Sequence, residues 1–192
     1  MIAAFQTYLQ TNTGIPEEEV ERICRHAIQR VLQRNEILLQ EGSICRHKTF
    51  IVKGLLRTYG VSENGSEHIL QFSPENTWTL DVESYDKQIP ARFSIAAVEY
   101  SEILLWEKND FMALVDSIPA LRDFSQQLIS RTIYNSRHRI SLVLGATPEE
   151  KYDDFIRNHS DLLSRLPLHM IAGYLGISLK TLTRIRHAQL HR

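Results

Sequence analysis

Cysteine is scarce in this 192-residue sequence. Cys24 and Cys45 are the only two, too few for a disulfide scaffold, a four-thiolate iron–sulfur cluster or a structural zinc. Cys24, set among Val20, Ile23 and Ala27, reads as a small buried apolar group, and Cys45 as a loop residue. Long apolar runs are missing too. No 18-residue apolar stretch occurs, and the opening MIAAFQTYLQTNTG has neither a basic n-region nor a cleavage site, so the expectation is a soluble, cytoplasmic protein with no membrane partner. Paired histidines are absent where a metal enzyme built on a β-barrel would need them: His47 and His68 stand alone. His187 and His191 lie at i and i+4, but no carboxylate near them completes a ligand set. No catalytic residue and no metal site is therefore expected. Internal repeats and low-complexity tracts are also lacking.

The most informative absence is of negative charge at one end. Residues 162–192 contain no Asp or Glu but five basic residues, Arg165, Lys180, Arg184, Arg186 and Arg192. All 23 acidic residues lie earlier, so a formal net charge of −1 divides into a body of −6 and a tail of +5. Such a tail is an electrostatic footprint for a polyanion.

Residues 168–186, LHMIAGYLGISLKTLTRIR, give that footprint a shape. Ile171, Ala172 and Leu175 supply the apolar face of a first helix, with Ala172 small enough for a second helix to cross closely. Gly176 is free to take the positive φ of a sharp turn. Ser178 then caps a second helix whose inward face is Leu182 and Ile185. Its outward face is left with Leu179, Lys180, Thr183 and Arg184, the hydroxyl and cationic chemistry of a helix that enters a DNA major groove. The pattern predicts a helix-turn-helix. A helical hairpin packed within some other helical domain would share the apolar spacing but not the charge.

Upstream, residues 2–11 and 16–25 read as helices, the second starting at Pro16 with Glu17, Glu18 and Glu19 at its positive end. The apolar period then changes to two. Short strands are expected at 28–32, 36–40, 50–56, 57–62, 68–72, 92–98 and 102–106, with turns at Glu41-Gly42, Lys53-Gly54 and, as a type I′ hairpin, Asn64-Gly65. Strands this short and this regularly spaced predict an antiparallel barrel or jelly roll. Trp78 and Trp106 are assigned to its core or pocket wall. A long helix follows over 119–144. Leu121, Leu128, Asn135 and Leu142 recur on it every seven residues, with a second stripe of Ile129, Ile133, Ile140 and Leu144. One stripe is assigned to the chain's own roll and the seam of Leu121, Leu128, Asn135 and Leu142 to the same helix of a second copy. Arg137, His138 and Arg139 read as a solvated face that also has the reach to meet an anionic ligand. Gly145-Ala146 is the expected hinge, after which Thr147, Pro148 and Glu150 restart a helix with a capping box.

Taken together the segments resemble the Crp/Fnr family of bacterial transcription regulators. The residues that carry the resemblance are Leu38-Leu39-Gln40-Glu41-Gly42, Phe50-Ile51-Val52-Lys53-Gly54, Asn64-Gly65 with Glu67 to Leu70 after it, Ala97 to Leu104, and Ile171 to Ser178 followed by Thr181 and Arg184. The resemblance implies an α+β chain: an N-terminal antiparallel β-roll (residues 1–118) resembling a cyclic-nucleotide-binding domain, a long dimerisation helix and hinge (119–146), and an all-α helix-turn-helix domain (147–192). It implies a homodimer on double-stranded DNA, with RNA polymerase as a further partner, and no enzymatic activity. DNA contacts are expected from Ser178, Lys180, Thr181, Thr183, Arg184 and Arg186. The alternative expectation is a cyclic-nucleotide sensor whose tail binds a protein in place of DNA.

Two departures from the family pattern stand out. Where cyclic-AMP-binding members carry a Gly-Glu pair and, ten residues on, an arginine for the cyclic phosphate, this sequence has Leu80-Asp81 and Ala91, with Arg92 one place along. No cofactor is called for, cyclic AMP is not the expected effector, and Asp81, Tyr85, Arg92, Tyr134 and Arg137 are the candidate walls for another small molecule. With Arg192 just after the second helix, a full β-hairpin wing is not expected either.

Overall fold

The computed structural model describes residues 1–63 and 65–190, without the Leu190 side chain, so Asn64, His191 and Arg192 lie outside the described residues. The chain divides into two compact units, residues 1–60 with 70–129 and residues 61–69 with 130–192.

The first unit is α+β. Helices α1 (Ile2–Asn12) and α2 (Glu17–Arg25) precede two antiparallel four-stranded sheets. Strands β1 (Ile28–Leu32), β8 (Ser101–Glu107), β3 (His47–Lys53) and β6 (Thr77–Thr79) lie side by side in that order in one sheet. The order in the other is β2 (Ile37–Leu39), β7 (Ser94–Ala97), β4 (Leu56–Val61) and β5 (Glu67–Ser73). Helix α3 (Val82–Lys87) joins β6 to β7, and α4 (Lys108–Ser117) leads into α5 (Pro119–Gly145).

The period-two pattern of β3 decides where the core sits. Successive side chains point to opposite faces of a sheet. Phe50 therefore joins Phe5, Leu104, Trp106 and Phe111 in a core under the helices, while Ile51 joins Leu32, Ile95, Ile103 and Leu105 inside the roll. Aromatic rings dominate the helical side: Phe5 lies 4.8 Å from Phe50 and 4.9 Å from Trp106, centroid to centroid. The fully buried Trp106 donates its Nε1–H to the Ile23 carbonyl at 2.9 Å, which ties α2 to the sheet. Gly54 sits at φ +98°, and a Cβ there would fall 2.6 Å from the Tyr100 carbonyl oxygen, so the Lys53-Gly54 turn admits no side chain. Both cysteines are buried; burial pushes the Cys24 thiol up to about 11, and Cys45 lies, as expected, in the loop before β3.

Several boundaries differ from expectation. The third strand starts at His47 and ends at Lys53, because Gly54 breaks it, and Leu56 opens the next. The sequence reading has no β6, α3 or α4. The strand Thr77–Thr79 is too short to show alternation, and six-residue α3 rests on a local cap, Asp81 accepting from the Ser84 N–H at 2.9 Å. At the hairpin tip Gly65 has φ +80° and its N–H reaches the Ser62 carbonyl at 2.8 Å, but the type I′ assignment turns on Asn64, outside the described residues.

Lys48 is an unexpected cation in this unit. Its Nζ lies 4.4 Å over the Phe111 ring and 5.2 Å over Trp78, and burial pushes its pKa down to about 8. Protonated Lys48 is thus disfavoured by folding, so its cost is present below pH 8 and fades as pH rises toward the ordinary lysine value. Lys48→Met should raise the melting temperature at pH 7, and the advantage over wild type should shrink between pH 8 and 10. Paired thermal melts across that range check it; a pH-independent difference contradicts the assignment.

The second unit holds the end of α5, then α6 (Pro148–Asn158), a 3-10 turn (Ser160–Leu162), α7 (Leu168–Leu175) and α8 (Leu179–Leu190), with the tip of the β4–β5 hairpin. Thr147 and Glu150 form the expected capping box: the Thr147 N–H donates to Glu150 Oε2 at 2.8 Å, and the Glu150 N–H to Thr147 Oγ1 at 3.3 Å. Tyr152, Phe155, Leu162, Met170, Ile171, Leu175, Leu182 and Ile185 are buried there.

Candidate nucleic-acid interface

The turn between α7 and α8 is built as the residues dictate. Gly176 ends α7 in the left-handed region, φ +65°, and the Thr181 N–H donates to Ser178 Oγ at 3.0 Å to cap α8. Leu182 and Ile185 are buried, and Lys180, Thr183, Arg184 and Arg186 are exposed. Ser178 and Thr181 also bond each other through their hydroxyls at 2.8 Å, and the Thr183 hydroxyl donates to the Leu179 carbonyl at 2.9 Å. The exposed face of α8 thus presents three cations and a leucine, Leu179, with one hydroxyl turned back on its own helix.

Two features of this unit escape the sequence reading. Arg184 Nη2 lies 2.8 Å from Glu149 Oε1 on α6, and Gln189 Nε2 donates to Asp153 Oδ1 at 2.6 Å. Glu149 and Asp153, four residues apart, share one face of α6. The Glu149 backbone N–H, and then the Arg184 guanidinium, hold the Glu149 carboxyl below the usual carboxylate range. The pairing is not legible from 168–192 because its acidic half lies outside that segment.

The other feature is Arg139, which belongs to no solvated face. Its Nη2 donates to the Ile69 carbonyl of the hairpin at 2.6 Å and to the Tyr174 carbonyl at the end of α7 at 2.9 Å. The guanidinium carbon lies 3.8 Å over the Tyr174 ring. Beside it Gly173 meets the hairpin directly: a Cβ would stand 3.0 Å from the Glu67 carbonyl oxygen. His159, 5.9 Å from Tyr174 between ring centroids, has its pKa lowered chiefly by burial. Arg137 and His138 are exposed, His138 within 3.1 Å of Asp154.

Along α5 the two stripes are not buried and exposed as expected. Leu121 is 1 % exposed in its own chain's core and Leu128 packs against that core, so these two are spent internally; Asn135 is exposed and Leu142 half-buried. The stripe left exposed is Ile129, Ile133, Ile140 and Leu144. The physical reason lies at the start of the helix, where Ile118 and Phe124 turn Leu121 inward.

The candidate effector residues fall in both units. Asp81 is buried as the α3 cap, and Tyr85 is buried with a hydroxyl that meets no hydrogen-bond partner among the described residues. Arg92 has a side chain 75 % exposed, with Nε 3.5 Å from Glu83. Ala91 is buried, its N–H bonded to the Ser43 carbonyl. Tyr134 and Arg137 are exposed on α5. The roll holds a partly open cavity of about 120 Å³ whose walls combine Leu38, Leu39, Ile44, Cys45, Leu80, Ile95 and Leu105 with Arg30, Arg46, His47 and Thr49. Ligand pockets for drug-sized molecules run to roughly 300 Å³ and more. Among the described residues no group of His, Cys, Asp and Glu is arranged to hold a metal, and no helix is long and apolar enough to cross a membrane.

Comparison with known proteins places these elements. Residues 29–117 match the cyclic nucleotide-binding domain family. The transcriptional activator protein FnrA of Stutzerimonas stutzeri is 25% identical over 171 residues, 81% of this chain and 68% of FnrA. Among solved structures, FixK2 from Bradyrhizobium japonicum has a TM-score of 0.74 at 17% identity, covering 86% of this chain and 84% of that one. The c-di-GMP-responsive global regulator CLP of Xanthomonas campestris has a TM-score of 0.75 at 10% identity, covering 92% of each chain. FnrA is by name a transcriptional activator and CLP a global regulator. Residues 29–117 are thus similar to a cyclic nucleotide-binding domain, the order of roll, long helix and helix-turn-helix is a fold shared with FixK2 and CLP, and the chain is similar at 25% identity to the transcriptional activator FnrA.

Proposed function

We propose that the chain acts as a homodimer that reads a near-palindromic duplex through α8, with Lys180, Thr183 and Arg184 on base edges and Arg186 on phosphate. Ser178 and Thr181 then serve the cap and the nearby backbone. The observation that carries the reading is the capped, acid-free α8, whose exposed face is cationic while its other face is buried. Two such helices related by a two-fold axis require half-sites about 34 Å apart. Selection from a random duplex pool tests this. Arg184→Ala should cost about 1–3 kcal/mol and relax specificity at one base pair, while Arg186→Ala should weaken every sequence alike and flatten the salt dependence. Unchanged, salt-independent binding by both variants would favour a protein partner for the tail instead.

The dimer is assigned to the α5 stripe of Ile129, Ile133, Ile140 and Leu144. Residues 1–118 serve as the sensor, 119–146 as dimer helix and hinge, and 147–192 as the DNA reader, in the cytoplasm, with RNA polymerase as the regulator's further partner.

The sensor does not take cyclic AMP in the family's usual way. A buried cyclic phosphate without a charge-assisted partner loses several kcal/mol relative to water. At the usual phosphate position Ala91 offers no such partner, Arg92 is turned outward to Glu83 and Asp81 is occupied by the α3 cap; of the arginines that line the small cavity, Arg30 is paired with Glu36, and Arg46 stands outside the usual position. Titration calorimetry with cyclic AMP should give no heat of binding at micromolar concentrations; binding that Arg92→Ala abolishes would overturn this.

A further inference from the structure

We infer that Glu149 on α6 is a specificity-determining positioning residue for DNA reading: by pairing with Arg184 it aims the guanidinium at one base edge and withholds it from phosphates. The inference rests on the DNA reading proposed above.

Of the exposed cations Lys180, Arg184 and Arg186 on α8, Arg184 alone has a carboxylate at ion-pair distance among the described residues, Glu149 Oε1 at 2.8 Å. The paired residue is thus one of those assigned to base edges, whereas Arg186, the one assigned to phosphate, has no such carboxylate among the described residues. A single Nη2–Oε1 contact uses one of the guanidinium's five N–H donors, leaving enough for a bidentate contact to guanine O6 and N7. The contact fixes a long side chain that is otherwise free to explore many rotamers, so less ordering remains to be done on the correct site. The carboxylate also offsets the guanidinium's charge. Attraction to phosphate is the sequence-independent share of DNA affinity, so that share falls while base readout is kept. Glu149 sits in the first turn of α6, where the positive end of the helix favours its ionised form, and its own N–H and Arg184 hold its carboxyl low. It therefore stays charged at neutral pH.

Asp153 supplies an internal control. It lies on the same face of α6, carries the same charge and holds Gln189, not Arg184. The experiment compares wild type, Glu149→Gln and Asp153→Asn on a duplex recovered from the random pool and on a scrambled duplex, in titrations at several salt concentrations, with thermal melts confirming that all three fold. Glu149→Gln should tighten binding to the scrambled duplex and lower the ratio of specific to non-specific affinity by about tenfold, within the range a bidentate base contact discriminates. Asp153→Asn should shift both duplexes together and leave the ratio in place. Arg184→Ala combined with Glu149→Gln should show no further loss of ratio beyond Arg184→Ala alone. An unchanged ratio in Glu149→Gln, or an equal fall in both single variants, would overturn the positioning role while leaving DNA binding intact. A wild type that retains no duplex from the pool would overturn the DNA reading itself, and the inference with it.

Discussion

Replacing Arg139 with Met should detach the β4–β5 hairpin from α7. One nitrogen, Nη2, serves the Ile69 and Tyr174 carbonyls together, at 2.6 and 2.9 Å. Hydrogen bonds to charged groups contribute about 1.5–3 kcal/mol each. Loss of both, with the cation stacked on Tyr174, is expected to cost this unit about 3 kcal/mol, reduced by whatever water replaces. Methionine keeps the apolar stem and removes the donors. Hydrogen exchange read peptide by peptide should speed up over residues 67–70 and 170–176 together, and DNA affinity should fall with it. Lysine should rescue in part, having the charge but not the planar group that lies on the ring. Gly173→Val should give the same exchange signature from the other side, by pressing a branched side chain against the Glu67 carbonyl. If Arg139→Met leaves exchange in these two segments unchanged, the arginine does not hold them.

Ile140→Glu should yield monomers and lower affinity for a two-half-site duplex by about a hundredfold or more, because a dimer's second head binds at the effective concentration set by its partner. Ile140 is 58 % exposed with Ile129, Ile133 and Leu144 on the same stripe, and an apolar stripe of that length on a helix calls for a covering surface. A glutamate there meets its own copy across the two-fold axis, adding repulsion to lost burial. Sedimentation at micromolar concentration, alongside affinity for single and paired half-sites, reads the outcome. The single half-site should bind wild type and variant alike. A monomeric wild type would end the proposal. Leu121→Glu is the contrasting substitution: it should unfold the first unit, because Leu121 is sealed in that unit's own core.

That contrast shows how far periodicity carries. The heptad of Leu121, Leu128, Asn135 and Leu142 locates a helix with two apolar stripes, and the helix is there from Pro119 to Gly145. Which stripe faces which client depends on what precedes it in space, here Ile118 and Phe124, and a one-dimensional pattern does not contain that. The helix-turn-helix is legible almost residue by residue, since a glycine turn, a serine cap and two apolar faces are local rules. Arg139 and Glu149 are not. One bonds two backbone carbonyls distant in sequence and the other an arginine 35 residues on, so neither leaves a mark in its own neighbourhood. Read locally, Arg139 looks like any cation between Arg137 and Ile140.

Phe50 and Ile51, adjacent in β3, belong to two different cores. A strand wetted on one side tolerates a breathing motion toward water; one sealed on both sides has nowhere to breathe. The amides of β3 and its neighbour β8 should therefore be the last in the first unit to exchange with solvent, and a perturbation arriving at one face of that sheet reaches the other without crossing a hydrated gap. Chain elements separated by the sheet, the aromatic packing under α1 and the apolar core inside the roll, are in this sense one peptide unit apart.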